Sequence, residues 1–102
     1  MAEFVTVGSA GDVPGGEVRA FDVNGDPVAV VNVDGSFYAF GDLCTHRQCS
    51  LAEGTLEGTT VTCPCHGSEF DVRTGAVLAP PAVQPVRSYR VRVEGDTLKI
   101  EV

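Results

Sequence analysis

The 102-residue chain has no tryptophan, one methionine, one lysine and two histidines. Its 7 basic residues face 14 acidic ones, a formal charge of −7. An acidic surface repels phosphate backbones and anionic lipid headgroups, so neither nucleic acid nor a membrane is an expected partner. A basic patch on another protein is the better electrostatic match. No run of apolar residues reaches the roughly 18 that a membrane helix needs. Met1 to Thr6 carries neither a basic n-region nor an apolar h-region, so no signal peptide and a cytoplasmic location are expected. No long helical period is present either. Only Leu51 to Gly58 offers a turn of helix, and Gly54 and Gly58 interrupt it. Serine has no spare histidine to activate it, which argues against nucleophilic catalysis.

What remains is strand grammar, short apolar runs punctuated by Gly, Pro, Asn and Asp. Phe4 to Val7 reads as a first strand and Gly8 to Gly16 as a loop. Glu17 to Val23 and Pro27 to Val33 flank an Asn24-Gly25 turn, and Asp34-Gly35 leads into Phe37 to Phe40. Asn-Gly and Asp-Gly pairs supply the positive φ angles of tight hairpin turns. Tyr89, Val91 and Val93, then Leu98, Ile100 and Val102, form a closing hairpin around Gly95-Asp96, with one apolar and one charged face. The length fits one domain, residues 1–102, and the class is all-β, a small antiparallel sandwich or barrel.

The chemistry is concentrated in the middle. Every Cys and His lies between Cys44 and His66. Leu43-Cys44-Thr45-His46-Arg47-Gln48-Cys49 and Cys63-Pro64-Cys65-His66-Gly67-Ser68 each combine Cys and His at close spacing. Thiolate and imidazole suit zinc, copper or iron–sulfur chemistry. Tetrahedral zinc sites more often pair C-x-x-C with H-x-x-x-H. One cluster here reads C-x-H and the other C-x-x-H, an arrangement suited to two irons, one held by two Cys and the other by two His. A structural zinc module that binds another protein is the competing reading.

These residues resemble the Rieske 2Fe–2S proteins, whose signature is C-x-H, an insert, then C-x-x-H. The likeness extends to Phe70-Asp71-Val72-Arg73-Thr74-Gly75, to a proline loop at Ala79-Pro80-Pro81-Ala82, and to Leu51-Ala52-Glu53-Gly54. Together with the closing hairpin, these segments resemble the small ferredoxins that serve ring-hydroxylating oxygenases. The resemblance implies a Rieske fold, two small antiparallel sheets with a cluster-binding subdomain of two loops at approximately 42–82. It implies one 2Fe–2S cluster, with Cys44, His46, Cys63 and His66 as its ligands. It further implies a one-electron carrier and no enzyme, working between a flavin-containing ferredoxin reductase and a terminal aromatic-ring-hydroxylating oxygenase. A Rieske subunit of another redox complex is the alternative within the family.

Cys49 and Cys65 match the disulfide positions of Rieske subunits in quinol-oxidising complexes, which implies a bridge between the two ligand loops. Two unpaired buried thiols are the simpler reading. Ser68 stands where high-potential members place a hydroxyl that bonds a bridging sulfide, although it also suits a turn cap. Phe70 stands where those members place a Tyr. One donor of two implies a potential below that of the quinol-oxidising class. Arg47 and Gln48 are expected beside the exposed edge. Phe37, Phe40 and Phe70 read as core.

Overall fold

The computed structural model describes residues 3–45, 49–65 and 67–101. Its elements in chain order are β1 (Phe4–Ser9), a 3-10 turn (Ala10–Asp12), β2 (Val18–Val23), β3 (Asp26–Val33) and β4 (Ser36–Gly41). A second 3-10 turn (Leu51–Glu53) follows, then β5 (Thr55–Glu57), β6 (Thr60–Thr62), β7 (Glu69–Asp71) and β8 (Val77–Ala79). β9 (Ser88–Tyr89), β10 (Val91–Glu94) and β11 (Thr97–Glu101) close the chain.

The described strands form three antiparallel sheets. The outer sheet has the order β1-β11-β10, the central sheet β2-β3-β4-β9, and the third β5-β6-β7-β8. The central sheet grows from its two turns. Asn24 and Gly25 sit at φ 54° and 90°, and Asp34 and Gly35 at 51° and 90°. Two consecutive positive φ angles match the right-handed strand twist, which sets the pairing Val23↔Asp26 and Val33↔Ser36. Each turn repeats one device. The Gly25 N–H donates to Asp22 Oδ1 and the Gly35 N–H to Asn32 Oδ1, both at 2.8 Å.

β3 explains the layering. Val28, Ala29, Val30 and Val31 are all fully buried, without alternation. Val28 and Val30 pack with Val13, Val23, Ala39, Leu98 and Ile100. Ala29 and Val31 pack on the opposite side with Phe40, Leu51, Val61, Phe70, Val72, Cys44 and Cys63. A strand buried on both faces has no polar side to show. The central sheet therefore lies between two cores, and the second of them runs directly into the cysteine loops.

Four expectations change. Gly8 and Ser9 extend β1, and the supposed loop after them contains a 3-10 turn. The Asp12 carboxylate accepts the Ser9 N–H at 3.0 Å and draws the chain round there. The sheets number three, because the subdomain carrying the cysteine loops has a four-stranded sheet of its own. Its strands are three residues long, too short for a period to show. The closing hairpin is split. Tyr89 pairs with Ala39 in the central sheet, whereas Val91 pairs with Ile100 in the outer one, so the chain changes sheets at Arg90. Finally, the hairpin's apolar face is incomplete, since Val93 is exposed.

Candidate metal centre

The two cysteine loops are built alike. In the first, the Cys44 N–H donates to the Cys49 carbonyl at 2.9 Å. In the second, the Cys63 N–H donates to the Ser68 carbonyl at 2.8 Å. Each bond spans five residues, so each loop is pinched at its root. Gly67 takes φ 79°, a left-handed angle that closes the second loop.

Cys44 and Cys63 are buried, 1% and 2% exposed, and neither belongs to a disulfide. Cys49 and Cys65 form the expected bridge, with Cα atoms 6.4 Å apart. It joins the two loops covalently. The sulfurs of Cys49, Cys63 and Cys65 all lie within 4.8 Å of one another, so one candidate thiol sits against the bridge. His46 and His66, with Arg47 and Gln48, lie outside the described residues.

A third segment covers the loops. The Thr45 hydroxyl donates to the Gln84 carbonyl at 2.7 Å, and the Ala82 N–H donates to Ser68 Oγ at 3.0 Å. The Pro80-Pro81 segment is thereby fastened to both cysteine loops. Its approach is fixed at Gly75, at φ 83°, whose carbonyl accepts the Val86 N–H at 3.0 Å. A side chain at Gly75 would run into the Val86 carbonyl, and one at Gly54 into that of Thr62. Phe70 is fully buried and pairs with Val61, as a core residue should.

Charge is kept away. From Thr74 to Val86 there is no Asp, Glu, Lys or Arg. The same holds for the described residues 43–45, 49–52, 63–65 and 67–68. Ser68 is fully buried, and its Oγ is occupied only as an acceptor. Among the described residues its own O–H meets no acceptor.

Comparison with known proteins agrees with this geometry. Residues 3–90 match the Rieske [2Fe-2S] domain. The chain is 40% identical over 94 residues to the ferredoxin component of biphenyl 2,3-dioxygenase from Rhodococcus jostii (strain RHA1), covering 92% of this chain and 88% of that one. The ferredoxin of carbazole 1,9a-dioxygenase from Nocardioides aromaticivorans IC177 superposes with a TM-score of 0.91 at 40% identity, covering 95% of each chain. A structure described as a complex of reduced oxygenase and oxidized ferredoxin in carbazole 1,9a-dioxygenase contains a chain matching at TM-score 0.89 and 37% identity, over 95% of this chain and 91% of that one. The chain belongs to the Rieske [2Fe-2S] domain family, as a ferredoxin-type electron-transfer protein with one 2Fe–2S cluster.

The residues present fit that cofactor. Two buried thiols outside the bridge come from twin loops, and the buried Ser68 hydroxyl lies between the second loop and the proline segment. The zinc reading is thereby set aside. Sequence reasoning had named every cysteine and Ser68. It missed Asp42 and Thr45, polar groups that hold the loops in place, because an Asp beside a glycine reads as ordinary turn chemistry and a Thr between two candidate ligands reads as filler.

Proposed function

We propose that Cys44 and Cys63 hold one iron of the cluster, and His46 and His66 the other. The protein then carries single electrons from a flavin-containing ferredoxin reductase to a terminal aromatic-ring-hydroxylating oxygenase, in the cytoplasm. The burial of Cys44 and Cys63 on matched loops outside the bridge is the observation that carries this reading. When bound, such a cluster takes up and returns one electron at a time, at a potential that histidine ligation raises to between about −150 and +300 mV. Cys44 and Cys63 contribute two thiolates from the apolar core side. His46 and His66 contribute neutral imidazoles, so the site carries less negative charge than four thiolates would give it. With the cluster bound, the Ser68 hydroxyl would donate to a sulfur and favour the reduced state.

Iron and acid-labile sulfide analysis of anaerobically purified protein is expected to return two of each per chain, the 2Fe–2S stoichiometry. Electron paramagnetic resonance of the reduced form should give the low average g value of mixed His/Cys ligation. Cys63→Ser and His66→Ala should each lose the signal. A spectrum of the four-cysteine type, or a retained Rieske signal in either variant, would overturn the ligand set. Reduction by a flavin reductase encoded beside a ring-hydroxylating oxygenase, with onward transfer to that oxygenase, tests the partners. Failure of either transfer would refute the pairing.

A further inference from the structure

Among the described residues two polar side chains are buried, Ser68 and Asp42. Ser68 belongs to the centre described above. Asp42 is 3% exposed and has no part in the ligand set. Its surroundings are fully defined. Its N–H donates to the Pro27 carbonyl at 3.0 Å, which ties it to β3. Its carbonyl accepts the Leu51 N–H at 2.7 Å. Its Oδ1 accepts the Ala52 N–H at 2.9 Å, and its Oδ2 the Ser50 hydroxyl at 2.6 Å. One residue at the end of β4 thus grips three consecutive residues of the chain's return arm. Among the described residues no Lys or Arg pairs with it, and both carboxylate oxygens are engaged by neutral donors.

The grip sits at the root of the first cysteine loop. Leu43 and Ser50 bridge antiparallel just above it, and the Cys44 to Cys49 bond follows. The loop bearing Cys44 and His46 therefore leaves the body through a neck that the Asp42 carboxylate closes. Leu51, fully buried in the core between the residues it holds, anchors the return arm. A charged acceptor makes stronger bonds than a neutral one. An Ala there would leave the Ala52 N–H and the Ser50 hydroxyl without their partner.

We propose that Asp42 is a positioning residue for the metal centre, closing the neck of the 44–49 loop and so setting how firmly Cys44 and His46 hold iron. This rests on their assignment as ligands. Cluster release from the purified holoprotein to an iron chelator is the measurement. It is followed at a fixed offset below each variant's own melting temperature, together with the spectrum of the reduced protein. Asp42→Ala is expected to release iron roughly ten-fold faster and to shift or broaden the g values, since it leaves buried donors unpaired. Ser50→Ala, which removes one arm only, should fall between Asp42→Ala and the parent. Asp42→Asn keeps an acceptor for Ala52 and an amide that can donate to the Ser50 oxygen, so it should restore near-parent retention. Asn32→Ala is the control. Asn32 bonds the Val13 carbonyl and the Gly35 N–H in the body, so its loss should lower melting without faster release. Release from Asp42→Ala, or from Ser50→Ala should Asp42→Ala not fold, no faster than from Asn32→Ala would overturn the Asp42 role alone. A Cys44→Ser protein that keeps its cluster would overturn the ligand assignment and the Asp42 role with it.

Discussion

The body and the cysteine-bearing subdomain are held together by different physics. The body has strands of up to eight residues, and its inner core is a run of Val, Ala, Leu and Ile side chains. Burying each large aliphatic group contributes about 1.5–3 kcal/mol. The subdomain's strands are three residues long. These strands bury Val61 and Phe70 in the shared core, and the loops beyond them are fixed by a disulfide and by side-chain hydrogen bonds at Asp42, Thr45 and Ser68. The comparison separates fold stability from site geometry. Area buried in the body makes the protein fold, while directional bonds in the subdomain decide where a few side chains point.

A core truncation breaks the body first. Leu98→Ala, at a fully buried position, should cost about 2–5 kcal/mol in chemical denaturation while leaving the folded protein's g values at the parent's. Altered g values would mean that the two regions are not separable. Removing the bridge with Cys49→Ser and Cys65→Ser should reverse the pattern. The closed loop has 15 intervening residues. In the loop-entropy account its constraint is worth about 3 kcal/mol, and here the loss should fall on cluster retention before melting. Parent-like retention after both changes would deny the bridge its bracing role.

Ser68→Ala is a smaller change within the site. Loss of one charge-assisted hydrogen bond of about 1–2 kcal/mol should lower the midpoint potential by roughly 45–90 mV. Voltammetry showing no shift would mean that the hydroxyl serves only the Ala82 N–H. The smallest effect belongs to the body-side turn after β7. Arg73, donating side-chain hydrogen bonds to Asp71, holds the Asp71 carboxyl below its ordinary range. A lowered folded-state value makes this contribution complete above the unfolded aspartate value of about 3.9, and it disappears as pH falls through the folded one. The pair is exposed on the arginine side, so the effect is slight. Melting curves taken down through that range should fall more steeply for the parent than for Asp71→Asn. Parallel curves would show that solvent screens the pair completely.

Parts of this were legible before any coordinates. Asn24-Gly25 and Asp34-Gly35 announce their turns because few residues accept φ above zero, and the hairpins follow from them. The Cys49–Cys65 bridge was readable because its positions match a family pattern. Other features were not. Val28 to Val31 is simply an apolar run, and nothing in it says that alternate members serve two different cores. Three-residue strands give no period to count. Tyr89 and Val91 alternate as one strand would, yet the chain steps between sheets at Arg90.

The residues alone decided which groups are offered as ligands and where the chain reverses, because ligand chemistry and positive φ angles are properties of single residues and their neighbours. Folding in three dimensions decided how those groups are held. The carboxylate at position 42 gains its role only when Ser50 and Ala52 return beside it, and the hydroxyl at position 68 only when Ala82 closes over it. Such bonds join residues eight to fourteen positions apart, a separation at which backbone register, rather than local preference, sets who meets whom.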